Sequence, residues 1–248
     1  MTGTSILTCT HGMRKYLPWA IGSVLAQRCS DWEYLVLDDG STDGTWDWLR
    51  SLSHPKIKIF KNSVCQGLTW SRNFLLSKAK GAFVSILDAD DFLFPWKIGI
   101  HQKILNRDSS IGVVWGRSVV LTEQGKRWRV SRFMPPFGFE PGWDIATPYQ
   151  AAHSSTTWRK SSILAAGGYD PKWTLMVAPA LFLRVGDYAA QYFSEVPVVA
   201  KRHFPRNAFR VQLTRQVKAA MSRELLQETL ARRFGLELKG RVPITKIE

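Results

Sequence analysis

The sequence predicts an α/β fold: a Rossmann-like, mostly parallel central sheet flanked by helices, with a smaller mixed or antiparallel extension and a C-terminal helix. Three observations support this. From Ser5 onward, short runs rich in β-formers alternate with longer segments whose apolar residues recur at helical spacing. Glycine-bearing turns stand at the strand ends, as in Asp39-Gly40-Ser41 and Gln66-Gly67. After Ile111 the alternation gives way to adjacent strand-like runs.

Taken in order, the strands are expected at 5–9, 33–37, 57–61 and 83–87, and the helices between them at 17–27, 45–52 and 68–79. Residues 111–120 and 127–131 read as strands joined by a turn at Glu123 to Gly125. Residues 133–149, rich in Pro, Gly and aromatics without a helical period, read either as a lid-like loop or as a surface insertion. A short helix at 161–166 should stop at Gly167-Gly168, since glycine adopts positive φ at little cost. The last helix is expected at 213–234, where Leu213, Val217, Met221, Leu225, Leu226 and Leu230 form a stripe wide enough to pack on a parent domain. These readings divide the chain at 118 and 210: residues 1–118, an adjoining half at 119–210, and a basic tail at 211–248.

A chain of 248 residues, 45% hydrophobic, can bury a substantial core, and its composition excludes a disordered polymer. Its net charge of +14 is uneven, with residues 201–248 holding 12 basic against 4 acidic side chains. Such a tail suits an anionic surface, and it contains no module that would imply specific nucleic-acid binding. Cys9, Cys29 and Cys65 lack metal-ligand spacing and fit ordinary reduced thiols. No apolar run approaches the length of a membrane span. The expected location is the cytoplasm, with peripheral contact at the inner face of an anionic membrane.

The chemistry concentrates at two strand ends. Ser85-Ile86-Leu87 delivers Asp88, Asp90 and Asp91 to a strand's carboxyl end, where open α/β sheets bind ligands. Hard carboxylate oxygens suit Mg²⁺ or Mn²⁺ bridging to a diphosphate, and an acidic turn capping the helix near Pro95 is the other reading. Asp38 and Asp39 end a second strand, where they can accept hydrogen bonds from a base or ribose. Arg72, early in the third helix, can reach the same edge or lie on the surface.

The order of these pieces resembles the family 2 glycosyltransferases of the GT-A fold. The matching stretches are Ser-Ile-Leu-Thr-Cys-Thr-His at 5–11, Ala-Ile-Gly-Ser-Val-Leu-Ala-Gln at 20–27, Asp-Asp-Gly-Ser-Thr-Asp at 38–43, Gly67 with Ser71-Arg72-Asn73, and Leu-Asp-Ala-Asp-Asp at 87–91. Weaker matches follow at 153–160 and at Gly-Gly-Tyr-Asp, 167–170. The resemblance implies a nucleotide-sugar donor and a glycan or lipid-linked acceptor. It places Thr8, Thr10, His11, Asp38, Asp39, Arg72 and Asp88 around the donor, and Asp90, Asp91 and His203 at a Mn²⁺ or Mg²⁺ ion. His153, Trp143 and Trp173 are the candidates for the acceptor side.

At one place the sequence departs from the family. Where an acid is expected before a Leu-aromatic-Leu-Arg stretch, Val177-Ala178-Pro179-Ala180 precedes Leu-Phe-Leu-Arg at 181–184. Ala178 cannot take a proton from an acceptor hydroxyl. Asp170, Asp187 and His153 are the candidate substitutes. The alternative to a transferase is a degenerate module that binds sugar nucleotide or glycan without efficient transfer.

Overall fold

The computed structural model describes residues 3–122, 128–130, 152–173, 176–203 and parts of 224–232. The loop expected at 133–149, with Trp143, lies outside the described residues, as do the 123–125 turn and most of the expected last helix. Residue contacts divide the chain into two units, 1–203 and 204–248.

The first unit begins as the periodicity predicts. Strands β1 (Thr4–Thr10), β2 (Trp32–Asp39), β3 (Ile57–Asn62) and β4 (Phe83–Ile86) are linked by helices α1 (Leu17–Leu25), α2 (Thr45–Arg50) and α3 (Leu68–Lys78). They form a parallel sheet in the order β3-β2-β1-β4. Each expected strand and helix lies within about two residues of its predicted limits at either end.

Beyond β4 the sheet turns mixed. The rest comprises β5 (Phe92–Leu93), α4 (Lys97–Arg107), β6 (Ile111–Thr122), β7 (Trp128–Val130), β8 (Thr156–Arg159), α5 (Lys160–Ala165), α6 (Val177–Val185) and β9 (Ala190–His203). Strand β8 pairs antiparallel with both β4 and β6, β9 runs parallel to β6, and β5 closes the edge antiparallel to β9. Strand β7 forms a hairpin with β6, the antiparallel extension expected there. Strands β8 and β9 have no counterpart in the sequence reading. Thr156-Thr157-Trp158-Arg159 is short, and β9 contains Pro197 and Glu195 and pairs with β6 through three shifts of register, which blur any alternation.

The parallel sheet buries both faces. On one lie Leu7, Leu35, Leu37, Leu75, Leu76 and Trp158; on the other lie Ile6, Leu17, Ile21, Val24, Tyr34 and Val36. Trp158 meets Phe182 of α6 edge-on at 4.6 Å, and Trp115 of β6 meets Phe193 of β9 at 4.4 Å. Leu75 is fully buried, so truncating it to Ala should cost about 2–5 kcal/mol. The α5 stop is as expected, with Gly167 at φ 79° and Gly168 at φ 74°.

In the second unit, Thr229 is buried and its hydroxyl donates to the Leu225 carbonyl at 2.8 Å, while Glu228 faces Arg232 one helical turn on.

Candidate nucleotide-sugar site

Three strands deliver polar residues to one edge of the sheet: β1 ends at Thr10, β2 at Asp39 and β4 just before Asp88. Parallel pairing puts these carboxyl ends side by side.

Asp39 faces the α3 side. Its Oδ1 accepts from Asn62 Nδ2 (2.7 Å) and the Gln66 amide (2.8 Å), and its Oδ2 from the Gly67 amide (2.9 Å) and Cys65 Sγ (3.4 Å). Burial opposes ionisation, but these donors outweigh it and hold the carboxyl below its usual range. Gly40 makes the wrap possible: at φ 73° a Cβ there would lie 2.7 Å from the Cys65 nitrogen. Asp39 therefore fastens the loop that starts α3, and a nucleoside contact has to share its oxygens with that loop. His11 is exposed, and its Nδ1 lies 2.8 Å from the Asp39 carbonyl oxygen, which can only accept.

Arg72 is buried. Its Nη2 donates to Asp88 Oδ1 at 3.0 Å, and its guanidinium lies over the Tyr169 ring at 5.6 Å. Behind it, the Tyr169 hydroxyl meets His153 Nε2 at 3.2 Å. Burial favours the neutral Asp88 carboxyl, but Arg72, with Lys201 and His153 beyond it, outweighs that and draws the group down. About 31% of the Asp88 side chain stays exposed, enough to meet a ligand.

Asp90 is pushed up, first by burial and then by the charge of Asp88. Asp91 is raised further, mainly by burial, and is fully enclosed. Its Oδ2 accepts from Ser154 Oγ at 2.7 Å and its Oδ1 from the Arg202 amide at 3.1 Å. Ser154 Oγ in turn accepts from the Asp88 amide at 3.0 Å. Asp91 thus ties β9 and the 153–155 turn to the Asp88 backbone. Each Asp91 oxygen has a protein donor and the side chain is enclosed, so a metal ion, the role expected for it, would have to share those oxygens.

Lys97 lies beneath, wholly buried, with its Nζ donating to Ser154 O (2.7 Å), Ser85 Oγ (2.8 Å) and Ile86 O (3.4 Å). Burial draws it down to about 7 against the pull of Asp88 and Asp91. Its three acceptors match the three N–H groups of an ammonium. Lys201 of β9 is held up by Asp91 first, against burial, with Asp88 and Asp90 adding to it.

Other residues expected at the donor are turned into the fold. Thr8 is buried; its hydroxyl donates to the Leu87 carbonyl at 2.7 Å and meets the Tyr34 hydroxyl at 2.9 Å. It pins β1 to the segment that presents Asp88. Thr10 and Asp38 are buried on that same face, and Asp38 Oδ1 accepts from the Ser41 amide. Alternation along a strand explains the division: Asp39 points to α3, whereas Thr8, Thr10 and Asp38 point to the face of α1.

Two acceptor candidates are enclosed. His153 and Trp173 are 6% and 1% exposed, so neither presents a ring face for stacking in this structure. Of the carboxylates offered as bases, one has an ionic partner and the other stands at the far edge of the sheet. Asp170 accepts from the Lys172 amide at 2.9 Å and faces Arg184 at 3.8 Å, a turn residue with an ionic partner. Asp187 lies just before β9, whose Ala190 pairs with Ile111 at the amino-terminal end of β6. Because β6 runs in the same direction as β4, Asp187 stands at the opposite edge of the sheet, roughly 20 Å or more from Asp88 at ~3.3 Å per residue. Ala178 is the second residue of α6, and before that helix Thr69 of α3 donates to the Trp173 carbonyl. The backbone of His203 ends β9; its side chain lies outside the described residues.

Sequence reasoning missed Ser154, Tyr169, Lys97 and Lys201. Ser154 and Tyr169 sat inside quoted motifs, and only the fold shows what they touch.

The glycosyl transferase family 2 model matches residues 5–164, well over half of the chain. The chain belongs to that family. Among relatives, it is 33% identical over 94 residues to the UDP-Glc:alpha-D-GlcNAc-diphosphoundecaprenol beta-1,3-glucosyltransferase WfaP of Escherichia coli, covering 38% of each protein. It is 29% identical over 169 residues to the putative glycosyltransferase EpsE of Bacillus subtilis, covering 66% of this chain and 59% of EpsE. The matches thus span well under two thirds of these relatives. Among solved structures, S. aureus TarS 1-349 in complex with UDP-GlcNAc superposes with a TM-score of 0.69 at 15% identity, over 95% of this chain and 73% of that one. The mannosyltransferase PcManGT of Pyrobaculum calidifontis, in complex with GDP-Man and Mn²⁺, gives 0.65 at 15% identity, over 97% and 65%. At that identity the likeness establishes the fold, which is GT-A.

Proposed function

We propose that this family 2 glycosyltransferase moves a sugar from a nucleotide diphosphate to a glycan or lipid-linked acceptor, with inversion at the anomeric carbon. The observation that carries the reading is the Arg72–Asp88 pair beside Asp90, at the edge where Asp39 fastens the α3 loop. In such a transfer the acceptor oxygen bonds to the anomeric carbon, the bond from that carbon to the diphosphate breaks, and the hydroxyl proton must leave. Asp88 and Asp90 would hold Mn²⁺ or Mg²⁺, whose contribution is positive charge at the departing diphosphate.

The residues present fit such an ion as a partial set. Asp90 is raised by burial and then by the neighbouring Asp88 carboxylate, a repulsion that a cation relieves. Among the described residues no three His, Cys, Asp or Glu side chains converge as a cage, which suits an ion completed by phosphate oxygens. Lys201 adds positive charge next to all three carboxylates.

A second reading is supported by the run Val177–Val185, which contains no carboxylate where the family places one. On that reading the chain is a degenerate module that binds donor and transfers poorly.

The test is calorimetric titration of UDP and GDP with and without Mn²⁺. Binding should strengthen with the ion in wild type, and Asp90→Ala should lose that gain by roughly tenfold or more, the scale of a charge-assisted contact. Equal affinities across all four arms would end the metal-site proposal.

A further inference from the structure

Helix α1 has a surface that the donor site does not use. Its sequence, Leu-Pro-Trp-Ala-Ile-Gly-Ser-Val-Leu, contains no charged residue, and one face packs Leu17, Ala20, Ile21 and Val24 into the core. The opposite face stays apolar: Trp19 is 66% exposed and Leu25 46%, with Gly22 and Ala26 exposed between and beside them. A surface helix ordinarily carries charge there.

The rim of this face is cationic. From Met13 to Ser30 the chain holds Arg14, Lys15 and Arg28 and no carboxylate. Lys15 lies over the Tyr16 ring at 5.3 Å, and Arg202 lies over Tyr16 at 5.2 Å and Trp19 at 6.0 Å. At the other end Arg28 lies over Trp96 at 5.8 Å. Aromatic rings with cations beside them, around an uncharged apolar strip, match the headgroup zone of a bilayer, where rings sit at the boundary and long cations reach the phosphates.

We propose that the exposed face of α1 docks on an anionic lipid surface, with Trp19 and Leu25 entering the headgroup boundary and Lys15, Arg28 and Arg202 meeting lipid phosphates. Charge complementarity selects this occupant over a protein groove, since residues 13–30 carry cations and no carboxylate in a chain of net charge +14. The placement has a consequence that rests on the proposed transfer: Arg202 follows Lys201 and its amide holds Asp91, so a docked α1 sets the carboxylate edge next to the membrane, where a lipid-linked acceptor would arrive.

The full chain should be sedimented with vesicles of phosphatidylcholine alone and of phosphatidylcholine with phosphatidylglycerol. Wild type should prefer the anionic vesicles. Trp19→Ser with Leu25→Ser should weaken that binding by at least about tenfold, the scale of two partly buried apolar side chains. Gly22→Asp is the second variant, because a Cβ at Gly22 meets nothing within 4 Å and the fold has room for it. It should lose binding to a similar degree with its melting temperature unchanged. Unchanged binding in Gly22→Asp would overturn the proposal and leave the basic tail as the lipid-binding element. Equal binding of wild type to neutral vesicles would overturn it too, as would concentration-dependent self-association abolished by Gly22→Asp with vesicle binding intact. Vesicle binding is read without transfer, so failure of the catalytic reading leaves this result standing.

Discussion

Asp39 receives four donors on two oxygens, and replacing it tests what holds the candidate site together. Asp39→Ala leaves the Gln66 and Gly67 amides without a partner, so it should cost about 1–3 kcal/mol and weaken nucleoside binding by loosening the start of α3. Asp39→Asn should rescue only in part, because its amide group turns donors toward donors. Thermal melting, with titration of UDP against free diphosphate, checks this; equal loss of both ligands would mean that the loop positions the phosphates as well as the base. The sign with pH follows from the depressed carboxyl. Its stabilising contribution is full above the unfolded value near 4 and fades as pH falls through the lower folded value. At this scale the sequence conveyed which residues gather at the edge, Asp39, Arg72 and Asp88 among them. It did not convey that Thr8, Asp38 and Asp91 face inward, since an acid at a strand end looks the same from either side of the sheet.

Helix α4 shows why an element can be legible while its role is not. Its buried face is Lys97, Ile98, His101, Gln102 and Leu105, so three polar side chains are turned in. Hydrophobic periodicity cannot report this, because it assigns polar residues to solvent. The strands β1 to β4 were readable because their apolar runs are bounded by glycine turns, whereas β9 was not, being broken by bulges and Pro197. Lys97→Met keeps the length of the side chain but takes the donor from Ser154 O and Ser85 Oγ, and it should cost about 2–4 kcal/mol. Because Ser154 also bridges Asp88 to Asp91, Mn²⁺-dependent UDP binding should fall with it. Retained binding in a destabilised variant would separate the floor from the site. His101, whose Nδ1 meets Thr157 Oγ1 at 2.8 Å, is held well below its usual range by burial and then by Lys97. Its folded value is depressed, so the unfolded chain binds the extra proton and stability falls as pH drops below about 6.5. Urea unfolding between about pH 7 and 5 in wild type and His101→Met isolates that contribution: the variant's slope should lose it and keep those of His153, of the same sign, and Asp91, of the opposite sign.

For the whole molecule the open question is whether a complete donor edge is coupled to a working base. Arg72, Asp88 and Asp90 stand together, while Asp187 lies across the sheet and Asp170 is paired with Arg184. A positioned base contributes about 10²- to 10⁴-fold, acting only as the acceptor hydroxyl loses its proton. Wild type should therefore bind nucleotide sugar but turn over slowly in a screen with Mn²⁺ and lipid-linked or glycan acceptors. Ala178→Asp puts a carboxylate on the first turn of α6, where the family resemblance expects an acid, and should raise kcat with little change in donor affinity. Pro179 fixes the backbone beside it, so Ala178→Glu, with a longer reach, is the companion variant. Neither change touches the donor residues, so a gain confined to kcat assigns the effect to the proton. Rapid wild-type transfer that disappears in Asp170→Asn, with donor binding and melting temperature intact, would show instead that the turn acid leaves Arg184 to act as base. Loss of rate in Asp187→Asn should not occur at all, because no strand shift smaller than the height of the sheet brings that residue to the edge where the donor sits.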